Sequence, residues 1–149
     1  MAHIHERIDF TASVLIVRDG AVLLHMHKKL GRWLQPGGHI ELQEDPNEAA
    51  LREAQEETGL LVELVNPLPK AAVRGGLILP RFLNRHHFNE THEHIDLVYL
   101  ARPVSGEVRA EEEDAEPPRW FTREELERID LGILEDVRAY ALAAIDELS

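Results

Sequence analysis

The feature that most constrains this chain is one short segment, "EDPNEAALREAQEETGL", whose two ends carry helix signals and whose middle crowds acidic side chains. Asp45 is a good N-cap, Pro46 suits the first helical position, and Glu48 completes a capping box. Gly59 is typical of the left-handed residue that ends a helix. We therefore predict a helix over residues 46–58.

Three glutamates of this helix lie where their charges repel one another. Glu53, Glu56 and Glu57 are one, three and four residues apart, and like charges at helical spacing destabilise a helix. Bound divalent cations would offset that cost, because Mg²⁺ and Mn²⁺ prefer oxygen ligands. Ala49 is predicted to leave open space above the carboxylates, and Arg52 to hold a carboxylate in place. A solvated acidic face is the alternative that the three glutamates alone leave open.

The residues around these glutamates resemble the Nudix box, G-x5-E-x7-R-E-U-x-E-E-x-G-U, in which U is aliphatic. The match runs from Gly38 to Leu60, and all seven fixed positions agree. Random sequence would give this agreement at a probability of about 10⁻⁸ per starting position. The one departure is Ala54, where a bulkier aliphatic residue is usual. The core-facing stripe of the helix is predicted to comprise Ala50, Leu51, Ala54 and Thr58.

Alternating polarity predicts strands on both sides of the helix. Strands at about 10–18 and 21–28 flank Asp19-Gly20, a dipeptide favoured in two-residue hairpin turns. "WLQPGGHIE" predicts a short strand that runs into a turn at Pro36-Gly37-Gly38. "LLVELV" and "HIDLVYLARPV" predict two further strands, separated by a long irregular region, residues 66–92, with room for one or two more. A capping box in "FTREELERI" and an amphipathic repeat in "LGILEDVRAYALAAIDELS" predict helices at the end.

The resemblance covers most of the chain and implies its fold. We expect an α/β protein with a Nudix-type α/β/α sandwich, a mixed β-sheet, and the box as a loop–helix–loop. The 149 residues suit one domain, so we expect a single Nudix domain over 1–149 with its box at 38–60.

The resemblance also implies a reaction. Nudix enzymes hydrolyse a diphosphate linkage in a nucleoside diphosphate joined to another group, with Mg²⁺ or Mn²⁺ as cofactor. Glu53 and Glu57 are then the expected direct metal ligands, and Glu56 is a third ligand or the residue that activates water. A backbone carbonyl at Gly38 is expected to complete the coordination, and Arg52 joins the catalytic group by orienting its carboxylates.

Two further assignments follow from the resemblance with less detail. Glu44 is placed to support the metal ligands from behind. The general base is a box glutamate or an acid from a loop elsewhere, and "EVRAEEEDAEPPRW" offers such a loop, although a run of charge is also typical of a solvated loop. The loop candidates are Glu111, Glu112, Glu113, Asp114 and Glu116.

Nine histidines include three His-x-His pairs, which invite a zinc hypothesis. The pairs are His3/His5, His25/His27 and His92/His94. Two histidines in such a pair share a face of a strand, as metal ligands often do. The pairs are far apart in sequence and the chain contains no cysteine, so the alternative is that they line a substrate cleft or titrate at the surface. His39 is expected to be structural or to lie near the phosphates.

Composition and charge narrow the partners. The net charge of −12 disfavours a nucleic-acid-coating role, whereas a small anionic substrate is acceptable when divalent cations lie between it and the protein. No apolar run is long enough to span a membrane, and "MAHIHERIDF" lacks the layout of a signal peptide, so a cytoplasmic location is expected. Dimers are common in the family, and a homodimer is compatible with the resemblance.

The substrate stays open, and so do two other activities. We expect residues 66–92 and the hairpin around His25 and His27 to form the wall that sets substrate specificity. A non-catalytic Nudix-like sensor of nucleotides or metabolites is the main alternative. An isomerase of the isopentenyl diphosphate type is disfavoured, because its better-known version requires a cysteine.

Overall fold

The structure is a computed structural model that describes residues 6–68 and 73–148, with only the backbone of Ile129. In these residues, eight strands form one sheet: β1 (Ile8–Arg18), β2 (Ala21–His27), β3 (Arg32–Leu34), β4 (Gly37–His39), β5 (Leu60–Val65), β6 (Phe82–His87), β7 (Glu93–Gly106) and β8 (Arg119–Thr122). The helices are α1 (Pro46–Thr58), α2 (Arg123–Leu126) and α3 (Glu135–Leu148), with a 3₁₀ turn at Ile129–Leu131.

Strands β1 and β7 run parallel at the centre of the sheet. The other edge of β1 is shared, because β4 pairs antiparallel with its first half and β2 with its end. The outer edge of β7 is divided in the same way between β6 and β5. Strands β3 and β8 pair with β2. The sheet is therefore mixed, as the sequence predicts.

Each face of the sheet carries its own hydrophobic core, because the central strand β1 is apolar on both faces. Val14 and Ile16 pack on the α1 side, and Leu15 and Val17 on the α3 side. A strand buried on both faces reads as a continuous apolar run, which "SVLIV" illustrates. Helices on the two faces of a mixed sheet make the α/β/α sandwich, so the predicted fold class is confirmed.

The predicted elements agree with the structure, with small shifts of their ends. Asp19 and Gly20 have φ values of 49° and 74°, as a two-residue hairpin turn requires. The region 66–92 contains one strand, β6. The capping box of Thr122 with Glu125 begins α2.

Three local predictions are wrong. Gly37 and Gly38 lie in strand β4 rather than in a turn, because their backbone pairs with β1. Ala49 is fully buried in the core and does not open space above the glutamates. Leu51, predicted to face the core, is 40% exposed, since the helix packs on the sheet through its alanines.

No helix in the described ranges combines the length and the apolar character that crossing a membrane demands.

Candidate active site

Helix α1 begins and ends where the sequence predicts. The side chain of Asp45 accepts a hydrogen bond from the Glu48 N–H, and the Glu48 side chain returns one to the Asp45 N–H. Gly59 has the left-handed conformation, with φ of 82°. With both ends fixed, the helix presents its last two turns, and the glutamates in them, to strands β2 and β4.

Glu57 is held by two elements of the sheet. The backbone N–H of Gly37 on β4 donates to Glu57 Oε1 at 2.8 Å. His25 Nε2 on β2 lies 2.8 Å from the other carboxylate oxygen. The Glu57 side chain is only 8% exposed, so its orientation is fixed before any ligand arrives.

Burial separates the three glutamates. The exposed fraction of the side chain is 8% for Glu57, 14% for Glu53 and 50% for Glu56. Burial raises the pKa of Glu53 to about 7, and the adjacent Glu57 carboxylate adds to the shift, while Arg52 opposes it. Two carboxylates in contact in a half-buried place thus lack positive charge.

Arg52 fixes the acidic group from the side. Its Nε and one terminal nitrogen bind Glu44 in a two-pronged contact at 2.9 and 2.7 Å. The other terminal nitrogen donates to Glu53 at 2.9 Å and to Glu56 at 3.2 Å, and the fifth N–H reaches the carbonyl of His39 at 3.0 Å. All five N–H donors of the guanidinium therefore have acceptors within the chain.

Glu44 links this arginine to the loop that precedes the helix. Its carboxylate also accepts a hydrogen bond from the Glu41 N–H at 3.0 Å. The hydrogen bonds from Arg52 are the main reason that the pKa of Glu44 is lowered. Glu44 therefore remains ionised and ties the loop to the helix.

The two glycines of β4 give the carboxylates room. A Cβ at Gly38 would collide with Glu53 Oε1 and lie 2.7 Å from its carboxyl carbon. A Cβ at Gly37 would lie 2.5 Å from Ser13 Cβ and 2.7 Å from the Ala12 carbonyl oxygen. Gly38 thus permits the approach of a carboxylate, and Gly37 permits the approach of β1.

A family model described as the NUDIX domain matches residues 8–142. The chain belongs to the Nudix family.

Relatives and solved structures agree with this membership. A NUDIX-family hydrolase from Clostridium perfringens superposes with a TM-score of 0.84 at 38% identity, covering 95% of this chain and 98% of that one. A "MutT-like protein" of Streptomyces ambofaciens is 29% identical over 92% of this chain and 74% of its own length. A "Probable DHNTP pyrophosphohydrolase" of Lactococcus lactis is 30% identical over 76% of this chain, and the match spans only 61% of that relative.

Beside the Nudix helix lies a cavity of about 300 Å³ that brings separate segments together. Glu57 forms part of its wall, and His25 and His27 of β2 form another part, as predicted for the hairpin. Phe88 is the contribution of the region 66–92. The full lining is His25, Met26, His27, Lys28, Lys29, Glu57, Phe88, Glu111, Glu112, Ala115, Glu116 and Pro118.

The acidic loop reaches the same cavity. Burial raises the pKa of Glu111, and the charges of Glu57 and Glu56 raise it further. Glu112 also lines the cavity and pairs with Lys28, and Glu116 completes the acidic edge. Of the five acids named from the sequence, Glu111 is therefore the one that the structure brings under the influence of the Nudix carboxylates.

The histidine pairs have different surroundings in the structure. His25 and His27 have rings 6.4 Å apart at the cavity. His94 lies instead beside His39, with rings 5.1 Å apart, away from its sequence partner His92. His3 and His5 lie outside the described residues.

Sequence reasoning missed three contacts at the site. Lys28 and Lys29 bring positive charge to the cavity, and His25 touches Glu57. The Gly37 N–H holds the same carboxylate. One signal was available: strand alternation puts His25 and His27 on the face of β2 that packs under α1, together with Leu23.

Proposed function

We propose that this Nudix protein is a Mg²⁺- or Mn²⁺-dependent hydrolase that cleaves a diphosphate linkage in a nucleoside diphosphate joined to another group. One observation carries the proposal: the touching carboxylates of Glu53 and Glu57 are held in place while the pKa of Glu53 is raised to about 7. A site that fixes two carboxylates and leaves them short of positive charge is suited to a divalent cation.

The donor atoms fit Mg²⁺ or Mn²⁺, because carboxylate and carbonyl oxygens are the ligands that these hard ions prefer. In this proposal Glu53, Glu57 and Glu56 hold the metal, with the Gly38 carbonyl as a further ligand. When bound, the ion supplies positive charge to the phosphoryl oxygens and lowers the pKa of a bound water.

Arg52 and Glu44 act in this proposal as positioning residues. Because all five N–H donors of Arg52 already have acceptors in the chain, a direct contact with substrate would require one of them to be released. Its role is to set the orientation of Glu53 and Glu56. The Gly37 N–H and His25 do the same for Glu57.

For the general base we propose two acids, Glu56 in the box and Glu111 in the loop. Glu56 is the most exposed of the three glutamates, so its carboxylate is open to water. Glu111 lines the cavity and has a raised pKa, which suits a group that takes a proton near neutral pH. In either case water attacks phosphorus, its proton passes to the carboxylate, and the bond to the leaving phosphate breaks.

The substrate side of the proposal rests on the cavity. Lys28, Lys29 and two histidines offer positive or polarisable groups to a phosphate chain, and Phe88 offers an apolar ring. The name of the Lactococcus relative, a pyrophosphohydrolase, supports a substrate with linked phosphates. We further propose that residues 1–149 act as one domain in the cytoplasm, with a homodimer to be tested by light scattering.

A phosphate-release screen tests the proposal. The protein is incubated with Mg²⁺ and with nucleoside triphosphates, dinucleotides and nucleotide sugars, and the same panel is run with Glu57→Gln and with the control Glu63→Gln, an exposed residue of β5. We expect metal-dependent release from wild type and from the control, and loss in Glu57→Gln. Tight nucleotide binding without any release would favour the sensor instead.

A further inference from the structure

Four adjacent strands place one aspartate and three histidines in a row on one face of the sheet. Residues paired across neighbouring strands have side chains on the same face. Asp9 on β1 is paired with His94 on β7, and His94 is paired with His86 on β6. His39 on β4 is paired with Thr11, which lies two residues from Asp9 and shares its face.

Three members of the row are close enough to share one ion. One ligand atom from each of Asp9, His39 and His94 lies within 4.8 Å of the other two. His39 Nε2 and Asp9 Oδ2 are 3.6 Å apart. A tetrahedral site with bonds of about 2.0 Å has edges of roughly 3.3 Å, so the widest pair must close by about 1.5 Å. His39 is exposed, and a rotation of its side chain can supply that movement.

His94 presents an unpaired polar atom. Its Nε2 is shielded from water and has no hydrogen-bond partner within the ranges that the structure describes. Buried polar atoms normally have a partner, and an exception indicates an unseen water or ion. Phe88 stacks on the same ring at 4.5 Å, with an angle of 14° between the planes, and so fixes its orientation.

We propose that Asp9, His39 and His94 form a binding site for a divalent transition metal of the Zn²⁺ type. Two imidazoles and one carboxylate are donors that Zn²⁺ accepts in tetrahedral sites, with the fourth position open to water or to another ligand. His86 borders the site, 5.6 Å from His94 between ring centroids. Its Nδ1 lies 2.8 Å from Asn84 Oδ1, a contact that leaves Nε2 available in one tautomer.

The proposed site lies behind the Nudix carboxylates. Because side chains alternate along a strand, Gly38 faces Glu53 while His39 faces the opposite side of β4. The carbonyl of His39 also accepts a hydrogen bond from Arg52. An ion on Asp9, His39 and His94 ties β4 to β1 and β7, and so stiffens the strand that supports the carboxylates.

Calorimetric titration of Zn²⁺ tests the site. Excess Mg²⁺ is present throughout to occupy the carboxylates, and the protein carries His3→Gln and His5→Gln, so that metal held by these two histidines is not counted. We expect one Zn²⁺ per chain. Asp9→Asn and His39→Gln each weaken the dissociation constant by about 100-fold or more, since even the hydrogen-bond partners of metal ligands are worth about 10–100-fold.

His87→Gln is the matched control, an exposed histidine next to His86 on the same strand, and it leaves Zn²⁺ binding unchanged. Because His94→Gln risks misfolding, the exposed His39 variant decides the question, with circular dichroism to confirm its fold. The absorption of bound Co²⁺ reports tetrahedral coordination independently. Failure of wild type to bind Zn²⁺, or equal binding by the Asp9 and His39 variants, overturns the proposal. Glu57→Gln keeps its Zn²⁺, so the outcome is distinct from that of the proposed hydrolysis.

Discussion

The two clusters of ionisable side chains on either side of β4 differ in donor atoms and in charge. The Nudix carboxylates offer only oxygens and are restrained by one arginine, Arg52. The group of Asp9, His39 and His94 offers two imidazole nitrogens with a single carboxylate. Oxygen-rich sites favour Mg²⁺ and Mn²⁺, whereas imidazole favours zinc-like ions. The comparison teaches that one strand can separate two metal chemistries by alternation of its side chains.

The clusters also differ in how firmly each is set before an ion arrives. Glu57 has a backbone N–H and His25 on its two oxygens. His39, by contrast, is exposed and must rotate to complete its site. We therefore expect the carboxylates to be preorganised for chemistry and the histidine group to act on stability.

Glu57→Gln breaks the comparison most strongly. Loss of a charge that holds a catalytic metal removes several kcal/mol of transition-state stabilisation, so hydrolysis falls by about 10³-fold. Binding of Zn²⁺ to the histidine group stays unchanged. The measurement is the initial rate of phosphate release at saturating Mg²⁺, with Glu63→Gln as control; a rate within about threefold of wild type would contradict the role of Glu57.

Arg52→Lys has the next largest effect. Lysine keeps the positive charge but lacks the planar fork that binds Glu44 with two hydrogen bonds and reaches Glu53, Glu56 and the His39 carbonyl. We expect kcat to fall by about 10–100-fold, the usual cost of losing a partner that orients metal ligands. If Arg52 instead bound substrate, KM would rise while kcat stayed constant.

The two glycines of β4 sharpen the comparison, because one approaches a flexible carboxylate and the other approaches backbone. Gly38→Ala displaces the Glu53 carboxylate, so Mg²⁺ affinity falls by about tenfold with the fold retained. Gly37→Ala presses on Ser13 and the Ala12 carbonyl, so unfolding becomes easier by about 1–3 kcal/mol. Calorimetric Mg²⁺ titration and urea unfolding of both variants check this, and equal effects would contradict it.

The smallest effect is a pH dependence of thermal stability. The pKa of Glu53 is raised from its ordinary 4.5 to about 7, so between these values the folded protein without metal holds a proton that the unfolded chain has lost. Its stability therefore falls as pH rises through this window. Mg²⁺ requires the ionised carboxylate, so the rise in Tm that Mg²⁺ causes grows over the same range.

Thermal melts at several pH values between these limits, with and without Mg²⁺, measure the trend. Glu53→Gln is the control, because it cannot titrate and should lose this part of the dependence. A Mg²⁺ effect on Tm that stays constant across the window would count against a raised pKa at Glu53.

The helix and its caps are predictable because they are local. Asp45, Glu48 and Gly59 act within a few residues, so the sequence alone places both ends of α1. The carboxylates follow from the same stretch. The failures at Ala49 and Leu51 arise because the choice of the buried helix face depends on the sheet beneath it.

The contacts that join distant segments were not predictable in the same way. His25 meets Glu57, and Asp9 meets His39 and His94, only through strand pairing whose register the sequence leaves open. Glu111 was one of five equivalent acids in a charged loop until the cavity distinguished it. Such sites depend on long-range order.

The most direct test of the account is Mn²⁺ binding followed in the same samples as phosphate release. Electron paramagnetic resonance counts bound Mn²⁺ in wild type and in the double variant Glu53→Gln with Glu57→Gln. The account predicts that wild type binds Mn²⁺ and hydrolyses a diphosphate substrate, and that the double variant loses both while it stays folded. A double variant that binds Mn²⁺ and releases phosphate as wild type does would contradict it.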